Sequence, residues 1–198
     1  MRLLTIMGTV VLGILLLWIL AVTLLPDAPV TVTRPVAVAP PAVQPVAVQG
    51  ENLLAMPIAG VDRAAVTDSW GDPRDNGLRQ HHGTDIIAPQ MTPVHAVASG
   101  TIEKLFQSKA GGTTIYQRTP QRDWTLYYAH LAGYAPGLRE GQAVRTGDVI
   151  GFVGDTGDAG PGNYHLHFGL TRTTPDQRWY QGEDVDPWPY LARGQPLR

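Results

Sequence analysis

The residues able to do chemistry fall in three short blocks. His81-His82-Gly83-Thr84-Asp85 sets an imidazole and a carboxylate four positions apart. Neutral imidazole and carboxylate oxygen are both suitable zinc ligands, and three protein ligands plus water make a catalytic site. Gly83 between them lets the loop turn tightly. Alone, this pair is a weak signal, because a His near an acid is usually solvated or hydrogen-bonded. His165-Leu166-His167 says more. In a strand these two imidazoles share one face, with Cα atoms about 6.6 Å apart. His130 ends an aromatic run, Tyr127-Tyr128-Ala129-His130. Together the blocks point to metal ligation. The chain has no Cys, which excludes a disulfide scaffold, a Cys-ligated zinc or iron–sulfur site and a Cys nucleophile. It has no His-Glu-x-x-His either, so the helical zinc-protease plan with a Glu base is excluded.

Short apolar stretches between Gly, Pro and Asp turns must position these groups. Residues 94–97, 101–105, 113–117, 124–130, 149–153 and 165–170 read as strands. The stretch 141–151 has the rhythm of two short strands around a tight turn. No convincing long helical period occurs between 51 and 198. The expected class is all-β, a small barrel or sandwich with long loops. Leu166, Phe168 and Leu170 should enter the core, opposite His165 and His167. By the same alternation Trp124, Leu126, Tyr128 and His130 share a face, with His130 leaning into a cleft from the strand's end.

The first fifty residues have a different character. Leu3 to Leu25 is a run of 23 residues without a charge. As a helix it is about 34 Å long, enough for a roughly 30 Å hydrocarbon core. The expectation is a retained membrane anchor at 1–25, its N-terminus cytoplasmic by the positive-inside rule. Residues 26–50 carry six Pro among Ala, Val and Gln. They read as an extended spacer of at most roughly 75 Å. Residues 51–198 form the remaining domain. A net charge of −2 argues against a nucleic-acid partner.

The segment Arg79 to Asp85, then Tyr128-Ala129-His130-Leu131, then His165-Leu166-His167-Phe168, resembles in order and spacing the lysostaphin-type (LytM-like) zinc endopeptidases. The resemblance runs from about Pro57 to Pro187 and takes in Gly-Gln-x-Val-x-x-Gly-Asp-x-Ile-Gly at 141–151. It implies a compact antiparallel β structure with loops around a zinc cleft. It implies that His81, Asp85 and His167 are the zinc ligands, and that His130 and His165 are the catalytic pair. The implied substrates are peptidoglycan stem or cross-link peptides, cut outside the cytoplasmic membrane. Zinc would lower the pKa of its water toward about 7 and polarise the carbonyl. One imidazole would accept a proton and the other would donate; the order of the two is open. The rival expectation is a non-turnover wall-binding regulator or activator of other wall hydrolases. Its mark would be lost ligands, and none is lost. Whether a regulatory protein gates the cleft is left open.

Two positions depart from the common family pattern: Met91 stands where Gly is usual, and Gly169 where Glu is usual. Other residues attract attention without fitting the site. His82 reads as a rim residue and His95 as solvent-facing. Residues 151–162, with five Gly, fail as a phosphate loop and as an EF-hand. They read as a flexible loop leading into the His strand. Trp179 and Trp188 are expected to pack the tail onto the domain, and residues 183–186 to form a solvated turn.

Overall fold

The computed structural model of the chain describes residues 53–198; the expected anchor at 1–25 and spacer at 26–50 lie outside the described residues. No helix among the described residues is long and apolar enough to cross a membrane.

A small hairpin, β1 (Pro73–Arg74) and β2 (Arg79–Gln80), precedes the main sheet. The main sheet has nine strands. They are β3 (Thr84–Ile87), β4 (Pro93–His95), β5 (Gly100–Ser108), β6 (Gly112–Arg118), β7 (Trp124–Tyr134), β8 (Ala143–Val144), β9 (Val149–Val153), β10 (His165–Arg172) and β11 (Glu183–Val185). A single helical turn, α1 (Trp188–Leu191), follows. Every pairing is antiparallel, as expected of a mostly-β fold. The 141–151 stretch does yield two strands, but β8 pairs with β5 whereas β9 pairs with β4 and β7.

Period-2 patterning explains why β10 holds its place. Leu166, Phe168 and Leu170 are fully buried, as the alternation requires. Each such side chain contributes about 1.5–3 kcal/mol on burial. Phe168 lies opposite Tyr128 in register, with the rings edge-to-face at 5.3 Å. The Tyr128 hydroxyl donates to Gln117 Oε1 at 2.9 Å and accepts from the Val97 N–H at 3.1 Å, so this buried phenol is fully partnered. β10 is flanked on one edge by β7 and on the other by β3 and β11, end to end.

β7 departs from the expected alternation. Trp124, Leu126 and Tyr128 enter the core, but His130 does not share their face. It has φ +59°, and the pairing with β6 shifts register between Thr113 and Ile115. This bulge adds a residue to β7 and turns His130 to the cleft side, next to Ala129.

Three further expectations need correction. His95 is half-buried, with Nδ1 3.3 Å from the Pro57 carbonyl, rather than solvent-facing. Residues 183–185 pair with β10 instead of forming a turn. Trp188 does tie the tail down, donating to the Val66 carbonyl at 2.8 Å, but Trp179 packs on Tyr116 and Phe106 in the cleft wall. Met91 adopts φ +65°, the left-handed conformation that makes Gly usual at this turn.

Candidate active site

The floor of the cleft is the non-core face of β3, β7 and β10. Pairing of β3 with β10 sets Asp85 opposite His167, and pairing of β10 with β7 sets Ala129 there too. The β2–β3 connection carries His81 to the same point. A cleft of about 860 Å³ opens above it and is lined by all five expected site residues.

Three donor atoms converge. His81 Nε2 lies 2.8 Å from His167 Nδ1 and 3.0 Å from Asp85 Oδ1, and Asp85 Oδ1 lies 3.0 Å from His167 Nδ1. The His81 Nδ1–H donates to the Ser69 carbonyl at 2.7 Å, because a carbonyl can only accept. His81 Nε2 therefore presents a lone pair, and so does the ionised Asp85 Oδ1. One proton on His167 can be shared between them; a cation among the three satisfies all of them at once. Two imidazoles and one carboxylate suit a divalent metal such as zinc. His81, Asp85 and His167 thus form a cluster that could hold a metal ion, and the donor set fits one.

Electrostatics agrees with that arrangement. Burial pushes the Asp85 carboxyl up, but the hydrogen bond from His167 and the adjoining imidazoles outweigh it and hold the group below the usual carboxylate range. Burial pushes the His167 imidazole down, favouring the neutral form a metal needs.

Gly83 has a different role from the tight turn expected of it. Its φ is not left-handed. A Cβ there would overlap His167 Cε1 and lie 2.8 Å from the Phe168 carbonyl oxygen. The missing side chain is what lets the His167 ring lie against the loop.

His130 and His165 stand beside the cluster with rings 4.8 Å apart. The His130 Nδ1–H donates to the Thr156 carbonyl at 2.8 Å, and the His165 Nδ1–H to the Asn163 carbonyl at 2.9 Å. Both Nε2 atoms are left with lone pairs; that of His165 is 3.8 Å from Asp85 Oδ1. Burial pushes His130 down to about 4, so it is neutral at neutral pH. The 154–164 loop thus lines the cleft and supplies both orienting carbonyls.

Gly169 is covered by its register partner Tyr127, whose ring a Cβ at 169 would approach to 3.2 Å. Tyr127 meets His167 edge-on at 5.9 Å and Tyr116 at 4.7 Å, and Tyr116 meets Trp179 at 4.6 Å. An aromatic wall therefore borders the metal cluster on the side where the usual Glu is missing. His82 is a rim residue as expected, stacked on Trp70 and 3.0 Å from Asp184.

Two charged residues were not anticipated from sequence. Arg74 donates to Asp85 Oδ2 at 2.6 Å. Arg79 donates to Asp158 Oδ2 at 2.8 Å, joining the β1–β2 hairpin to the 154–164 loop. Asp158 Oδ1 is also 4.0 Å from His130 Nε2.

An antiparallel sheet with a His/Asp metal cluster and two adjacent lone-pair imidazoles defines a metallopeptidase-type centre. Residues 79–187 match the model of Peptidase family M23, and the chain belongs to that family. It is 35% identical over 148 residues to the L-Ala–D-Glu endopeptidase of Bacillus subtilis, covering 72% of this chain and 43% of that protein. The LytM structure from Ruminococcus gnavus superposes with TM-score 0.58 at 30% identity, over 72% of this chain and 61% of that one. The catalytic domain of lysostaphin from Staphylococcus simulans gives TM-score 0.53 at 28% identity, over 62% and 88%. The chain spans less than half the length of the curated relatives it matches.

Proposed function

We propose that this chain is a zinc-dependent endopeptidase that hydrolyses peptide bonds in bacterial peptidoglycan. The observation that carries the reading is the convergence of His81, Asp85 and His167 beside two imidazoles fixed in the same tautomer. The relatives named L-Ala–D-Glu endopeptidase and peptidoglycan DD-endopeptidase support peptidoglycan stem or cross-link peptides as the substrate class.

His81, Asp85 and His167 would hold the metal. Bound zinc supplies a Lewis acid that activates water and polarises the scissile carbonyl. The chain's own groups do the rest. Thr156 and Asn163 carbonyls hold His130 and His165 with Nε2 free to receive a proton. One of the two takes a proton from the attacking water, and an imidazolium then donates to the oxyanion or the leaving amine. The low affinity of His130 for a proton keeps its Nε2 unprotonated before the reaction. A non-turnover wall-binding role would not need this preserved pair.

The uncharged run 3–25 and the Pro-rich 26–50 support a single-pass anchor in the cytoplasmic membrane, with the domain at 51–198 on its periplasmic or extracytoplasmic side. The test uses the full chain, purified in detergent and loaded with zinc, on isolated peptidoglycan. Mass spectrometry should find new peptide ends that disappear with a chelator. Zinc bound without any new ends would overturn the endopeptidase reading.

A further inference from the structure

We propose that Arg74 is a positioning residue for the metal cluster: by holding Asp85 Oδ2 it limits that carboxylate to one donor oxygen and fixes its direction. The inference rests on reading the cluster as a zinc site.

The two oxygens of Asp85 have different neighbours. Oδ1 faces His81 Nε2 and His167 Nδ1, each at 3.0 Å, while Oδ2 accepts from the Arg74 guanidinium at 2.6 Å. An unrestrained carboxylate can rotate and offer a cation one oxygen or both. A short charge-assisted bond to one oxygen removes that freedom and leaves the other aimed at the cluster. It also offsets the charge of a half-buried Asp, whose side chain is 22% exposed.

Arg74 belongs to a segment that braces the cluster from behind. The Ser69 carbonyl accepts from His81 Nδ1, and the Ser69 hydroxyl oxygen accepts from the Asp85 N–H at 3.3 Å. The Gly71 N–H donates to the His81 carbonyl and the His81 N–H to the Asp72 carbonyl, both at 2.9 Å. Residues 69–74 contain no ligand, yet they engage two of the three ligands on the sides away from the metal. Contacts of that kind orient ligands, and their loss typically weakens metal affinity 10–100-fold. The hairpin holds Arg74 by its pairing with Arg79.

Arg74 also borders the cleft, with its side chain 38% exposed, so a substrate carboxylate is the competing partner. Zinc affinity separates the two roles. The full chain in detergent is titrated with zinc against a chromogenic chelator, for the parent protein, Arg74→Ala, Arg74→Lys and Arg145→Ala. Arg74→Ala should weaken zinc roughly 10–100-fold. Arg74→Lys should fall between it and the parent, since it keeps the charge and loses the planar fork. Arg145→Ala, exposed and outside the cleft lining, should bind zinc like the parent. Unchanged zinc affinity in Arg74→Ala, with a raised KM for an acidic peptide, would make Arg74 a substrate anchor and overturn the proposal. If Arg74→Ala does not fold by circular dichroism, Arg74→Lys decides: weaker zinc supports the role, and parent affinity overturns it. A loss of zinc affinity in a protein that cuts no peptidoglycan would defeat the endopeptidase reading and leave this one standing.

Discussion

β10 and β7 lie side by side and supply the site by opposite means. β10 keeps strict alternation and so sets His165 and His167 on one face, above the buried Leu166, Phe168 and Leu170. β7 keeps it only as far as Tyr128, and then places Ala129 and His130 consecutively on the cleft side. A regular strand spaces its own same-face groups about 6.6 Å apart, and regular alternation would have turned residue 130 to the core face beside Tyr128. The left-handed His130, at a cost of roughly 1–2 kcal/mol, brings its ring to 4.8 Å from His165 and 5.7 Å from His167. The regular strand supplies a frame, and the break in the other supplies convergence.

The contrast can be broken most completely at β10. His167→Ala should abolish both zinc retention and cleavage, seen as loss of metal by elemental analysis and of new ends on peptidoglycan. His130→Ala should sharpen the contrast by separating the two losses. Its kcat should fall roughly 10²–10⁴-fold while zinc stays bound. Gly83→Ala tests the close approach that seats His167. The added Cβ has to displace the ring, and zinc affinity should fall about tenfold or more in a chelator titration.

A pH series probes the β7 side. His130 titrates near 4 in the folded protein against an ordinary 6.5, so between those values the unfolded chain binds more protons. Stability of the metal-free protein should therefore be full above about 6.5 and decline as pH falls toward 4. His167, also pushed down by burial, adds to that slope. His130→Gln should flatten the decline in thermal unfolding, and an unchanged slope would remove His130 from it. The smallest effect is expected away from both strands. Met91→Gly relieves a left-handed side chain and should raise stability by up to about 1 kcal/mol, read by urea titration.

Much of this was legible in the sequence, for identifiable reasons. Side-chain types and period 2 gave the core face of β10 and the His165/His167 face, whereas the set of five site residues was what the family resemblance implied. The alternation failed at His130 because a bulge is set by register against β6, which no local pattern records. The orienting partners Ser69, Thr156 and Asn163 act through backbone carbonyls, which every residue carries, so they leave no sequence signal. Arg74 meets Asp85, and Arg79 meets Asp158, only once the hairpin and the 154–164 loop close on the cleft. Residues 183–185 looked like a solvated acidic turn because an edge strand needs little apolar surface of its own. Trp179 was read as tail packing because its neighbours Tyr116 and Phe106 come from distant strands.

The way the short strands flank β10 limits how anything can enter the cleft. β3 takes up its edge from His165 to Phe168 and β11 from Leu170 to Arg172, while β7 takes up the opposite edge from His167 to Arg172 and Gly154 bridges to His165. β10 therefore has no open hydrogen-bonding rim on which a guest polypeptide could continue the sheet. A chain reaching the cluster cannot extend the sheet at β10 itself, and there it meets the side chains of the cleft face and the flanking loops. Selectivity should then follow the guest's shape and charge more than its capacity to extend.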